Sequence, residues 1–265
     1  MLSWFEKRID PFPAEAPEQP PTTLFAFCWH YTKGIWPWLA ITSVLIAAIS
    51  ALQVALFGFL GNIIDWLAGA DRATFLADEG WTLAGMGFVI LVLLPGLGLI
   101  HTMVMHQTIF GNYPMLIRWK AHRYLLGQSF GFYQDEFAGR VATKMMQTAL
   151  GVRETVVKIL DVLIYVVVYF VGTLVLVAAL DVRLMLPFLV WLVFYAGMLR
   201  YFLPRMRRIS EEQSNARSTM TGRVVDSYTN IMTVKLFAHS GREEAYAREA
   251  MDDFLKTVHP QMRLT

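Results

Sequence analysis

Two stretches of this chain contain no aspartate, glutamate, lysine or arginine at all: Gly34 to Ile64 and Gly80 to Ile117. About 20 apolar residues in a helix cross the ~30 Å hydrocarbon core of a bilayer, so each run spans one with residues to spare. A surface helix of a soluble protein would keep a polar face, and neither run offers one. Two shorter apolar runs follow, Val162 to Leu180 and Leu184 to Leu199. The last continues past Arg200 through Tyr201, Phe202 and Leu203, with Arg200 able to snorkel toward water. Asp181, Val182 and Arg183 leave room only for a tight turn, so the third and fourth segments are expected to form an antiparallel hairpin. Four crossings put both ends of the chain on one side.

Composition agrees with a membrane protein. Hydrophobic residues make up 55% of the 265 and the mean hydropathy is +0.43, too apolar for an ordinary soluble domain. A net charge of +2 supplies no basic face for nucleic acid. The single cysteine, Cys28, excludes an intramolecular disulfide and a cysteine cluster for zinc or iron–sulfur, and reads as a small buried apolar residue.

Charge bias gives the orientation. Between the second and third spans lie Arg118, Lys120, Arg123, Arg140, Lys144, Arg153 and Lys158 against Asp135, Glu136 and Glu154. The loop from Asp65 to Glu79 has only Arg72 against Asp65, Asp71, Asp78 and Glu79. The first loop is therefore expected in the cytoplasm, together with the N-terminus and the tail opening at Arg205, Arg207 and Arg208. A multi-pass protein of a bacterial inner or plasma membrane fits this pattern.

The first residues are not expected to be a secretory signal, because Glu15, Pro17, Glu18, Pro20 and Pro21 interrupt any apolar core. They read as a flexible, proline-rich lead over residues 1–23. Residues 24–34 read as an interfacial elbow helix, since Trp29, Tyr31, Trp36 and Trp38 suit the headgroup layer. The remainder, 35–265, divides into spans at about 35–64, 81–110, 160–180 and 184–203 and cytoplasmic loops at about 111–159 and 204–265.

Both loops are too long and too regular to be mere connectors. After Gly139, apolar residues recur at Val141, Met145, Ala149, Val152, Val156 and Ile159, one stripe of a helix that enters the third span without a proline. From Gly139 to Leu180 such a helix would be ~60 Å long, about twice the hydrocarbon thickness. Met115, Trp119, His122 and Leu126 extend the second span in the same way. Beyond the fourth span, Val224, Tyr228, Ile231 and Val234 keep helical spacing, followed by Tyr246, Ala250, Phe254 and Val258. The fold class is an all-α membrane protein: four transmembrane helices extended by long cytoplasmic helical hairpins.

The segment "LLGQSFGFYQDEFAGRVATKM" resembles the first intracellular loop of ABC exporters of the multidrug and lipid type. Likewise "SYTNIMTVKLFAHSGREEAYAREAMDDF" is similar to the rising helix of their second loop. The likeness covers the chain from about Leu24 onward. It implies one part of a six-helix transmembrane domain that moves a hydrophobic or amphipathic substrate, a drug or lipid, by alternating access. The bilayer, a nucleotide-binding ATPase domain and a second transporter half, identical or not, would be its partners. It also implies that each loop tip is a coupling helix against the ATPase domain. The first would be Phe130, Phe132, Tyr133, Gln134, Asp135 and Glu136, and the second Glu212, Gln213, Ser214, Asn215, Ala216 and Arg217.

No G-x-x-x-x-G-K-[ST] phosphate loop occurs, so the chain as given is not expected to be an enzyme or to hold a cofactor; ATP and magnesium belong to the full transporter by resemblance. The last residues, "HPQMRLT", fall where a fifth span would be about to enter the bilayer, which suggests a partial transporter.

Other classes are weaker. The histidines His30, His101, His106, His122, His239 and His259 make no metal-ligand spacing, which argues against a membrane metalloenzyme. Asp161 reads as a cytoplasm-side anchor paired with Lys158 three residues earlier. A non-transporting sensor or assembly scaffold with dimerising helices would explain the stripes, but not the aromatic loop tip. Candidates for lining a substrate cavity are His101, Met105, Trp191 and Phe194.

Overall fold

The computed structural model describes residues 2–16, 18–69, 75–135, 138–236 and 240–264, with the side chains of 134, 135, 138–140 and 240 outside that description. All of its regular structure is helical, and there is no strand among the described residues. Four helical segments among the described residues are long and apolar enough to cross a membrane: Trp36–Gly69, Phe75–Leu126, Val141–Leu180 and Val182–Thr229. The chain divides into two compact units, Met1–Asp181 and Val182–Thr265.

In the first unit, α1 (Leu2–Glu6) and α2 (Leu24–Thr32) precede α3 (Trp36–Gly69). The chain turns between α2 and α3, where Lys33 N–H bonds to the Trp29 carbonyl and Ile35 N–H to that of Thr32. Thus α2 is a helix of its own. Thr32 has one hydroxyl proton, and it goes to the Cys28 carbonyl at 2.6 Å; the 2.7 Å contact with Tyr113 is therefore donated by the tyrosine. Cys28 itself is half-buried against the core.

The second span is not a uniform helix. Its α4 (Phe75–Phe88), α5 (Leu94–Met103) and α6 (Gly111–Leu126) are joined by π-helical stretches at Val89–Leu93 and Val104–Phe110. A proline follows each stretch closely, Pro95 and Pro114. Proline lacks an N–H and its ring crowds the carbonyl four residues back, so a wider turn ahead of it relieves both problems. Beyond the turn at Gly127 come α7 (Phe130–Asp135) and α8 (Ala138–Leu180). The 43 residues of α8 make it about 64 Å long at 1.5 Å per residue.

Two kinds of packing hold this unit. Between α3 and α8 the contact is close because Gly172 has no side chain: a Cβ there would sit 3.2 Å from Val54 Cγ2. Small residues that let backbones approach are the usual device where lipid removes the hydrophobic drive for helix pairing. Lower down, the π-helical stretch, α6 and α8 enclose a conventional core around Ile35, Ile109, Tyr113, Ile117 and Ala149.

The N-terminal residues, expected to be a loose lead, form a strap docked on this core. Ile9 is buried within it. Thr108 donates to the Phe5 carbonyl, Asn112 to that of Glu6, and Trp119 and Arg123 both to that of Pro13, the last two at 3.1 Å. Phe12 meets Trp119 edge-on at 5.5 Å. Thr108 and Asn112 thus meet the last carbonyls of α1, while Pro11 and Pro13 bar the chain beyond it from helix hydrogen bonds, so side chains of the second span satisfy the Pro13 carbonyl instead.

The second unit is a helical hairpin. A 3-10 turn, Val182–Leu184, leads into α9 (Met185–Thr229), followed by α10 (Ile231–Leu236) and α11 (Ser240–Leu264). On the hairpin seam Arg223 lies 4.1 Å over the Tyr246 ring and pairs with Glu249 at 2.9 Å, while Ser227 donates to Glu243. The buried Ala250 allows α11 to approach α9.

Candidate functional site

The first hairpin tip is built by the end of α6. Gly127 and Gln128 cap its last carbonyls, Gln128 Nε2 bonding to Tyr124 O at 3.2 Å. Ser129 then starts α7, its carbonyl and hydroxyl both accepting from the Phe132 N–H. Tyr133 donates its hydroxyl to Leu125 O at 2.6 Å and receives the Phe132 ring edge-on, which ties the short helix back to the stalk. Left outside is Phe130, 77% exposed, beside an exposed Leu126. The backbones of Gln134 and Asp135 belong to α7, whereas Glu136 lies outside the described residues.

The second tip lies elsewhere than expected. Glu212, Gln213, Ser214, Asn215, Ala216 and Arg217 are in the interior of α9, with no short helix of their own. Their groups serve the hairpin: Glu212 pairs with Arg208 at 2.9 Å, the Ser214 and Asn215 carbonyls accept from Ser218 and Thr219, and Arg217 lies over the Phe254 ring at 5.5 Å. The break comes at Asn230, whose N–H closes α9 on the Asp226 carbonyl, and the short helix that follows is α10. Asn is favoured just past a helix end, the one sequence signal for this position. Around the break Tyr228, Met232 and Leu236 recur every four residues at 71%, 73% and 76% exposure. Each tip thus offers large apolar side chains that its own unit does not cover.

The cavity candidates separate. Met105 is only 5% exposed and packs in the core, so it has no free face for a ligand. Trp191 and Phe194 are exposed on α9, with Trp191 stacked on Tyr195 at 5.1 Å. His101, on α5, bonds through Nε2 to Asp161 Oδ1 of α8 at 3.1 Å. Asp161 is therefore paired across two apolar helices rather than with Lys158, which reaches Glu154 instead at 4.0 Å. Ionisable side chains within apolar spans are costly and are kept when they pair or serve function. A double-mutant cycle on His101→Ala and Asp161→Ala is expected to give a coupling of roughly 0.6–2 kcal/mol in thermal stability, and strict additivity would mean that the pair contributes nothing.

Among the described residues all regular structure is helical, with four segments long and apolar enough to cross a membrane and two long helical hairpins, and this defines the class, a multi-pass membrane domain. A family model, the ABC transporter transmembrane region, matches residues 39–260, and the chain belongs to that family. It is also 42% identical over 264 residues to a Haemophilus influenzae protein described as an uncharacterized ABC transporter ATP-binding protein. That similarity covers 100% of this chain and 43% of the relative, so the chain spans less than half the relative's length.

Proposed function

We propose that this chain is the membrane part of an ATP-driven exporter that works as a dimer by alternating access, with its N-terminus in the cytoplasm of a bacterium. The observation that carries the reading is the pair of short helices, α7 and α10, at the far ends of helices about twice as long as a bilayer is thick. A stiff helix transmits displacement that a flexible loop would absorb. The exposed apolar side chains of both tips suit grooves on an ATPase domain, and the relative's description as ATP-binding supports such a domain as partner. The coupling contacts in this reading are Phe130, Phe132 and Tyr133 in α7 and Met232 and Leu236 in α10, the latter pair replacing the 212–217 segment. A hydrophobic or amphipathic cargo is the class that the resemblance to exporters suggests, with His101, Trp191 and Phe194 as the cavity candidates. When bound to its partner domain, ATP with magnesium supplies the energy; this chain only receives the movement.

The test is ATP hydrolysis in lipid by residues 1–265 alone and by a polypeptide extended toward the relative's full length. Hydrolysis by the extended form alone, stimulated by an amphipathic cargo, is the expected result. Absence of hydrolysis from both would overturn the reading.

A further inference from the structure

His30 and Lys33, from α2 and the turn after it, converge with Lys120 and Arg123, one turn apart on α6. The anions facing them come from the strap. Glu18 accepts from Lys33 at 3.1 Å and lies 3.8 Å from His30, while Glu15 is 3.6 Å from Lys120. Arg123 donates to the Glu15 carbonyl at 2.6 Å.

The two sides of this cluster are not built alike. Lys120 and His30 are set into the fold at 20% and 12% exposure, whereas Glu15 and Glu18 lie over them at 75% and 65%. Burial, helped by Lys33, holds the His30 imidazole below its ordinary pKa, and hydrogen bonding to Lys33 holds the Glu18 carboxyl below its own. If the strap lifts, the half-buried Lys120 loses its carboxylate and the His30 ring the one facing it, which is costly unless another anion takes their place.

Next to the cluster, α2 and the start of α3 turn Leu24, Phe25, Trp29 and Trp36 outward. A soluble anion would use the cations and ignore these side chains. A molecule with an anionic head and hydrocarbon tails would use both, and basic pockets at the cytoplasmic face of membrane helices are suited to such heads. We propose that His30, Lys33, Lys120 and Arg123 form a headgroup site for an anionic phospholipid, and that the strap occupies this site through Glu15 and Glu18 in competition with the lipid. The inference rests on the bilayer placement of α2 but not on coupling to ATP, so lipid retention and ATP hydrolysis fail separately.

The experiment uses the full-length protein, extracted from bilayers of phosphatidylcholine with phosphatidylglycerol, with retained lipids counted by native mass spectrometry. Wild type should retain phosphatidylglycerol in preference to phosphatidylcholine. Lys33→Gln with Lys120→Gln should abolish the preference, and Glu15→Gln with Glu18→Gln should raise it several-fold, a gain that misfolding cannot imitate. An unchanged preference in either variant overturns the proposal. So does displacement of the lipid by free glycerol 3-phosphate, which would mark a site for soluble anions.

Discussion

Replacing Phe132 and Tyr133 by alanine in the full-length protein is expected to leave it inserted, folded and able to bind ATP, while removing most cargo-stimulated ATP hydrolysis. Fully burying an aromatic side chain contributes about 1.5–3 kcal/mol, and because Phe132 is half-buried and Tyr133 38% exposed before docking, losing both weakens docking by about 1–3 kcal/mol. That is roughly ten- to a hundredfold in affinity. Tyr133→Phe separates docking from internal bracing, because it keeps the ring and loses only the bond to Leu125 O. Met232→Ala with Leu236→Ala should have an effect comparable to that of the α7 double variant, because both side chains stand clear of their own hairpin. Glu212→Ala is the control. It removes an exposed pair with Arg208 within α9 and should change stability by less than about 0.5 kcal/mol and leave stimulation intact. Loss of stimulation in Glu212→Ala together with normal stimulation in the α10 variant would return the second coupling contact to the 212–217 segment.

The second large effect is expected at Gly172. A leucine there must displace Val54, whose Cγ2 lies 3.2 Å from where the new Cβ would stand, with Cγ1 at 3.4 Å. The Cβ alone asks Val54 to give by a few tenths of an ångström, and the rest of the leucine has to find room in the narrow apolar groove that Val54 and Gly172 line with Ala51, Val167, Val168 and Val171. Overpacking of this kind costs about 1–3 kcal/mol and should show as reduced thermal stability and poorer yield of folded protein. Gly58→Ala, at the same pair of helices, has its nearest neighbour at 3.9 Å and should be nearly neutral. Combining Gly172→Ala with Val54→Ala should recover most of the loss in Gly172→Ala alone, because the volume added on one helix is removed from the other. Equal stability of Gly172→Leu and wild type would mean that α3 and α8 do not pack at this point.

Much of this was legible along the chain. A span is recognised by length and by absence of charge, both local properties, and the expected number agrees with the four long apolar helices among the described residues. The stalk of α8 could be read from the recurrence of Val141, Met145, Ala149, Val152, Val156 and Ile159, since a helix repeats its own face every 3.6 residues. The same rule could not find the second tip, which the resemblance had put at 212–217. Val224, Tyr228, Ile231 and Val234 keep helical spacing straight across Asn230, so periodicity alone runs through the break that separates α9 from α10.

The sequence by itself determined that this protein is helical, crosses a membrane and extends well beyond it, because hydrophobic length and helical period are carried by neighbouring residues. Tertiary structure decided what no neighbouring residue reports. Asp161 has Lys158 one turn away, yet bonds His101, 60 residues earlier. The strap is proline-rich and polar by composition, yet the carbonyl of Pro13 meets Trp119 across 106 residues. Such pairs form only when separate segments bring donor and acceptor to about 3 Å, and their partners are chosen by which groups would otherwise be left unsatisfied.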